Sequence, residues 1–232
     1  MRAAVGGVVL CGGESRRMGA DKAALRFAPG APDAPAGSDR TQDTSTGSAE
    51  TAPTWGERAC RLLEGCGLPV VLSIRADRHA EYAQRFPERT LVVDDDPNVP
   101  GPLGALLSVY RATRRSLFVL AVDMPFMHAD TVRLLLDRFV QNQQAFPDGA
   151  GERYGGVCFG DGQRIDPLCA VYAAEALAVL EARAAGLKRY DLQQLRTLLN
   201  LEVLTPAETE RARLRNLNSP EDLRAAGGAG IV

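Results

Sequence analysis

Residues 10–22 read LCGGESRRMGADK and follow the apolar run VGGVVL of residues 5–10, and this junction decides the fold. The run predicts a buried strand, and Gly12 and Gly13 then turn the chain. Glycines also let backbone N–H groups approach an anion closely. Three cations crowd the same loop: Arg16, Arg17 and Lys22. They repel one another unless an anion or water lies among them, so the loop is a candidate phosphate site, with an ordinary turn and solvated cations as the alternative.

The loop differs from the two common glycine-rich phosphate motifs. It is neither the dinucleotide fingerprint G-x-G-x-x-G nor the Walker A loop G-x-x-x-x-G-K-[ST]. Its cations still suit phosphate, because either arginine offers a planar fork for phosphate oxygens and Lys22 offers a mobile point charge. The residues therefore predict phosphate binding without placing the loop in either class.

Strand-like and helix-like segments alternate along the rest of the chain. This alternation predicts an α/β fold with mostly parallel strands and crossover helices on both faces of the sheet. Ligands of such sheets bind beyond the carboxyl ends of the strands. The most polar stretches each follow a predicted strand: residues 10–22 the first, 94–104 the third and 123–127 the fourth. We therefore expect these stretches to meet in one cleft.

A carboxylate, Asp123, directly follows the apolar run LFVLAV of residues 117–122. Such a position is costly for a charge unless it has a partner. A hard carboxylate oxygen is a ligand that Mg²⁺ accepts, with water and phosphate oxygens completing the octahedron. A helix-capping role is the alternative, but the next predicted helix already has Asp130 at its start. We therefore favour Asp123 as a Mg²⁺ ligand.

Two further polar stretches are candidates for ligand contact. Asp94, Asp95 and Asp96 follow the third strand, and we expect at least two of them to be merely solvated, while one either contacts a nucleotide or Mg²⁺ or is solvated like the others. The GPLG of residues 101–104 starts a helix whose amino end can receive an anion, or is simply a proline-initiated helix. Near the end, two asparagines flank Leu217 and share one side of an extended segment, or serve only as turn residues. They are Asn216 and Asn218.

Composition limits the classes of protein that this chain can belong to. Its 232 residues suit a single domain, and the net charge of −2 with 24% charged residues gives no sign of a nucleic-acid or membrane partner. Residues 28–53 are rich in Ala, Pro, Gly, Ser and Thr, which predicts a flexible surface insertion. The odd number of cysteines, without a C-x-x-C pair, predicts reduced thiols and a cytoplasmic protein. They are Cys11, Cys60, Cys66, Cys158 and Cys169.

Taken together, these motifs resemble the molybdenum cofactor guanylyltransferases, which are nucleotidyltransferases with a Rossmann-like three-layer α/β/α fold. The family opens with L-A-G-G-x-S-x-R-M-G-x-D-K, and in this chain its arginine falls on Arg17. Its later motifs D…G-P-L, D-x-P, P-L-x-A-x-Y and N-x-N-[ST]-P-E-[DE]-L are matched at Asp94 and 101–103, at 123–125, at 167–172 and at 216–223. The doubled glycine of residues 12–13 is more similar to the guanylyl members than to the cytidylyltransferases.

The resemblance implies a role for each matched residue. The nucleotide-binding set would be Leu10, Cys11, Gly12, Gly13, Lys22, Ser73, Asp94 and Asp123. Within that set Lys22 would bind phosphates and Asp123 would hold Mg²⁺, while the pterin substrate would meet Asn216 and Asn218. Ser73 stands where the family commonly has asparagine near the base, so selectivity for the base is the least secure of these implications.

The resemblance also implies a reaction, the transfer of GMP from GTP to the terminal phosphate of molybdopterin with release of pyrophosphate. Lys22, Arg17 and Asp123 with Mg²⁺ would catalyse it by positioning and charge neutralisation. Molybdoenzymes and other cofactor-maturation proteins are further candidate partners. Two alternatives stay open: a nucleotidyltransferase of other specificity, using CTP or a sugar phosphate, and a non-catalytic nucleotide-binding adaptor.

Overall fold

The computed structural model describes residues 5–12, 21–27, 52–94, 98–145, 154–187, 190–219 and 221–222. Most of the predicted insertion, residues 28–51, lies outside the described residues, as do Gly13, Arg17, Asp95 and Asp96. The predictions for these residues therefore stay predictions. No helix in the described ranges is long and apolar enough to cross a membrane.

The described residues form one seven-stranded sheet with the order β3-β2-β1-β4-β6-β5-β7. Its strands are β1 Val5–Leu10, β2 Val70–Arg75, β3 Thr90–Asp94, β4 Ser116–Ala121, β5 Gly156–Gly160, β6 Ile165–Tyr172 and β7 Leu201–Leu204. β1 pairs in parallel with β2 and β4, β2 with β3, and β5 with β7. β6 is antiparallel to both of its neighbours, β4 and β5. The prediction of a mostly parallel sheet is confirmed, with one reversed strand that the sequence did not predict.

Helices cover the sheet in two packed groups, α1 with α4 and α3 with α5. The helices of the described residues are α1 Trp55–Gly65, α2 His79–Arg85, α3 Pro102–Thr113, α4 Ala129–Ala145, α5 Ala174–Ala184, α6 Leu195–Leu198 and α7 Glu208–Arg213. α1 packs on β1 and β2 while α4 packs on β5 and β6, and α3 packs on β1, β2, β3 and β4. The arrangement is the three-layer α/β/α sandwich expected from the resemblance.

Local chemistry fixes where two of the helices begin, α1 and α3. α1 starts with a capping box, in which the Glu57 backbone N–H donates to Thr54 Oγ1 at 3.2 Å and the Thr54 N–H donates to the Glu57 carboxylate at 2.6 Å. α3 starts with Pro102 at its first position, preceded by Gly101 at a φ of 74°. That positive φ favours glycine, so the GPLG motif has a structural role: its glycine allows the chain to turn, and its proline then begins α3.

Candidate active site

A cavity of about 590 Å³ lies beyond the carboxyl ends of β1, β2, β3 and β4. The parallel register explains why these ends coincide, since Leu10 lies opposite Ala121 of β4 and opposite Ser73 of β2. One strand further out, Arg75 lies opposite Asp94. The three polar stretches singled out in the sequence thus reach one cleft through their described residues, as expected for an open parallel sheet.

Lys22 is held by two side chains that are distant in sequence. Its Nζ lies 3.0 Å from Asp123 Oδ2 and 2.7 Å from Asn218 Oδ1. The side chains of Lys22 and Asp123 are only 12% and 22% exposed, so this ion pair is largely shielded from water. Lys22 also opens a short 3₁₀ turn, Lys22–Ala24, which fixes its backbone at the mouth of the cavity. Lysine, aspartate and asparagine thus form one cluster at the cavity.

The Asp123 carboxylate has one oxygen in the ion pair and one buried oxygen without a hydrogen-bond donor among the described residues. Its turn is fixed on both sides, because the Val122 N–H donates to the Leu10 carbonyl at 3.2 Å and the Asp123 carbonyl accepts from the Leu217 N–H at 2.8 Å. Oδ1 is buried and has no hydrogen-bond partner among the described residues. A buried carboxylate oxygen without a donor is costly, so this atom is suited to a cationic or hydrogen-bonding ligand.

The segment 216–218 places its two amides in adjoining cavities. Leu217 is fully buried between them and anchors the segment to the core. Asn218 lines the cavity of Lys22, whereas Asn216 lines a neighbouring cavity of about 490 Å³. Leu168, near the start of β6, lines both cavities. The two asparagines therefore flank a buried leucine, as the sequence indicates, but they line two adjoining cavities and do not share one.

The end of the first strand and the two residues that follow it line the cavity. Leu10, Cys11 and Gly12 line the cavity, and the Cys11 N–H donates to the Ser73 carbonyl at 2.9 Å. Burial, more than the neighbouring Cys60 and Asp21, raises the pKa of the Cys11 thiol well above its ordinary value. The thiol therefore stays protonated at neutral pH and forms part of the wall, not a nucleophile.

The structure does not bring the Ser73 hydroxyl to this cavity. Ser73 is 1% exposed, and its Oγ has no hydrogen-bond partner among the described residues. Arg75, two residues further along β2, lines the cavity instead, with a side chain that is 43% exposed and bonded to Asp77 at 2.9 and 3.0 Å. The sequence analysis missed Arg75, although its place as the last residue of a strand entering the cleft was a usable signal.

The start of α3 packs tightly against the segment that carries Asp94. Asp94 lines the cavity, and a Cβ added to Gly104 would lie 3.1 Å from Asp94 Oδ1. The same Cβ would lie only 1.9 Å from the Val99 carbonyl oxygen. The glycine that ends GPLG is therefore required for close approach of two backbone segments, and it helps to fix Asp94 at the cavity.

Gly104→Ala is expected to destabilise the protein by about 1–3 kcal/mol, the usual cost of overpacking. The obstacle is a backbone carbonyl, which cannot rotate away as a flexible side chain can. Gly65→Ala is the matched control, because Gly65 is also helical and its Cβ would meet nothing within 4 Å. Urea unfolding measures both variants, and equal free energies of unfolding would contradict the close approach at Gly104.

Comparisons with known proteins identify the family to which the chain belongs. Residues 7–202 match the family described as the MobA-like NTP transferase domain. The chain is 33% identical over 228 residues to a probable molybdenum cofactor guanylyltransferase of Opitutus terrae, covering 94% of this chain and 93% of that protein. It is 31% identical over 225 residues to a protein of the same name from Chloroflexus aggregans, covering 94% and 91%.

Solved structures show the same fold. The crystal structure of molybdopterin-guanine dinucleotide biosynthesis protein A from Archaeoglobus fulgidus matches with a TM-score of 0.63 and 20% identity, covering 96% of this chain and 97% of that one. The family match spans most of the chain, and both sequence relatives exceed 30% identity over nearly their whole length. The chain therefore belongs to the MobA-like NTP transferase family, with molybdenum cofactor guanylyltransferases among its relatives, and is a nucleotidyltransferase.

Proposed function

We propose that the protein transfers GMP from GTP to the terminal phosphate of molybdopterin, forming the guanine dinucleotide cofactor and releasing pyrophosphate. The observation that carries the proposal is the contact of Lys22 Nζ with both Asp123 and Asn218 at the carboxyl edge of the sheet. The names of the relatives from Opitutus terrae and Chloroflexus aggregans support the same activity.

The chemistry asks for positioning more than for a strong base. The attacking group is a phosphate that is already anionic, so the difficulty is to bring it against a second anion, the triphosphate. An ammonium group has three N–H donors, and two of those of Lys22 have partners among the described residues. We propose that the third donates to a phosphate oxygen and stabilises the charge that grows on pyrophosphate as it leaves.

The residues of the cavity fit a Mg²⁺ ion. Asp123 Oδ1 is buried without a donor among the described residues, as expected of an atom that meets a cation. The described residues contain no group of three or more His, Cys, Asp or Glu side chains that could hold a metal ion by themselves, so most of the ligands would come from the substrate and from water. Asp123 would thus hold the ion with phosphate oxygens and water, the usual arrangement for Mg²⁺ in nucleotide sites. When bound there, Mg²⁺ supplies Lewis-acid polarisation of the phosphate oxygens.

The two adjoining cavities suit two substrates. We propose that the nucleotide occupies the cavity lined by Leu10, Cys11, Gly12 and Asp94. Gly13 and Arg17 lie outside the described residues, and their part in binding phosphate stays a prediction from the sequence. The pterin acceptor would then occupy the neighbouring cavity beside Asn216. Asn218, which contacts Lys22, lies where the two substrates would meet. In this arrangement Ser73 supports the nucleotide loop through its carbonyl oxygen.

A screen of pyrophosphate release tests the proposal. The purified protein is mixed with molybdopterin, Mg²⁺ and each of the four nucleoside triphosphates in turn, and with each triphosphate alone as the control. We expect release with GTP that depends on the acceptor. Preference for CTP would contradict the guanylyl assignment, and binding of nucleotide without release would favour a non-catalytic adaptor.

A further inference from the structure

The Asp21 carboxylate, one residue before Lys22, is tied to α2. Each of its oxygens accepts two hydrogen bonds. Oδ1 accepts from the Ala23 N–H at 3.1 Å and the Tyr82 hydroxyl at 2.9 Å, and Oδ2 accepts from Arg78 Nη2 at 3.2 Å and Arg85 Nη1 at 3.0 Å. A residue next to the catalytic candidate is thus connected to a helix about 60 positions away in sequence.

The charges of this network balance one another. Glu81 contacts both arginines, at 2.7 Å from Arg78 and 3.2 Å from Arg85, so two cations face two carboxylates. The Asp21 side chain is only 10% exposed and is absent from the residues that line the cavity. Asp21 is poorly placed to bind a metal, because each of its oxygens already accepts two hydrogen bonds. Arg78 and Arg85 both donate from their guanidinium groups to Asp21 Oδ2.

Tyr82 supplies a buried donor to the network. It is 1% exposed, and its ring packs against Phe86 with centroids 5.6 Å apart. Burial, followed by the nearby Cys11 and Asp21, raises the pKa of the phenol far above its ordinary value. The phenol therefore stays protonated, and its hydroxyl donates a hydrogen bond to Asp21 Oδ1.

We infer that Arg78, which immediately precedes α2, and Tyr82 and Arg85 of α2 are positioning residues that hold Asp21 in place and, through it, the ammonium group of Lys22. Asp21 caps the 3₁₀ turn that begins at Lys22, so a displacement of its carboxylate displaces the Lys22 backbone. Lys22 is thereby fixed at both ends, by Asp21 at the backbone and by Asp123 and Asn218 at Nζ. The inference rests on the proposed role of Lys22 in binding the phosphates of the nucleotide.

Asp21→Asn separates positioning from simple electrostatics by the sign of its effect. The change removes a negative charge close to the proposed triphosphate site, so an effect acting through space would tighten the binding of a polyanion. An amide also has only one acceptor oxygen, so part of the network must face a donor instead. Positioning therefore predicts weaker binding of GTP despite the favourable change in charge.

The experiment is a double-mutant cycle read by titration calorimetry of GTP with Mg²⁺. Asp21→Asn and Tyr82→Phe are each measured alone and combined with Lys22→Ala. We expect Asp21→Asn to weaken GTP binding on the order of 10-fold and Tyr82→Phe about threefold. In the Lys22→Ala background, neither Asp21→Asn nor Tyr82→Phe is expected to weaken GTP binding further. Both substitutions act by displacing the Lys22 side chain, and that side chain is already absent.

Arg89→Ala is the matched control. Arg89 forms an ion pair with Glu64 and is 28% exposed, close to the 31% of Arg85, but it makes no hydrogen bond to Asp21. Its loss is expected to leave GTP affinity unchanged. Unchanged or tighter binding in Tyr82→Phe and Asp21→Asn would overturn the inference, and so would a loss of the same size with and without Lys22. Should Asp21→Asn fail to fold, Tyr82→Phe, which deletes a single oxygen atom, decides alone.

The readout also keeps this inference apart from the proposed reaction. Calorimetry records nucleotide binding and not transfer. A protein that binds GTP but transfers no guanylyl group would therefore refute the proposed function, while the cycle would still show whether α2 positions Lys22 through Asp21. If another nucleoside triphosphate binds in place of GTP, the same cycle is run with that nucleotide and the expected losses are the same.

Discussion

Lys22→Ala is expected to slow guanylyl transfer by about 10²–10³-fold, the scale for removing one positioned electrostatic group from an active site. The loss should appear in kcat, because the charge on departing pyrophosphate is greatest in the transition state. Pyrophosphate release at saturating GTP and molybdopterin measures it. Arg138→Ala is the control, since Arg138 pairs with Glu202 and is 44% exposed. Turnover within about threefold of the wild-type value would contradict the role of Lys22.

The same substitution should also reduce stability, because it leaves the Asp123 carboxylate without its cation. That carboxylate is 22% exposed, and it loses the 3.0 Å contact with Nζ. An unpaired and mostly buried carboxylate costs free energy that the unfolded chain does not incur. Thermal unfolding recorded alongside turnover separates this effect from catalysis, and added Mg²⁺ should restore part of the lost stability.

Asp123→Asn is expected to reduce turnover by a similar factor, about 10²–10³-fold, with the shape of the side chain retained. An amide keeps one oxygen for Lys22 but presents no negative charge to a divalent ion, so the Mg²⁺ concentration for half-maximal rate should rise. Steady-state rates over a Mg²⁺ titration measure both effects.

Asp130→Asn is the matched control for that titration. It makes the same chemical change seven residues along the chain, in the first turn of α4, on a side chain that is 64% exposed. We expect its rate and Mg²⁺ dependence to match those of the wild-type protein. Near-normal guanylyl transfer by Asp123→Asn at low Mg²⁺ would contradict the proposal that Asp123 holds the Mg²⁺ ion.

The sheet and the meeting of Lys22 with Asp123 could be predicted from the sequence. Both residues follow apolar runs that became β1 and β4, and these strands are neighbours in parallel register. Parallel strands end at one edge, so polar residues placed after them must converge there. The family motifs added which of these polar residues to consider first.

Other features depend on contacts that no local pattern reports. An apolar strand such as β6 has the same composition whichever way it runs, so its reversal was invisible. The network around Asp21 joins the first loop to a helix that follows the second strand, and only the folded chain brings them together. Ser73 and Arg75 point to the same face of β2, and they differ only because Ser73 lies inside the sheet whereas Arg75 ends the strand at the cavity, a difference of depth that the sequence pattern does not show.

The reversal of β6 has a consequence for how the two proposed substrate pockets can change. Because β6 runs against β4, its beginning lies at the cleft, and this places Leu168 beside both pockets. The hairpin turn joining β5 to β6 therefore borders the pocket of Asn216, while Lys22 and Asp123 lie on the segments that follow β1 and β4. If these pockets hold the substrates as proposed, insertions or deletions in that turn would alter the acceptor pocket and leave the nucleotide pocket unchanged, so the two specificities would be separately adjustable.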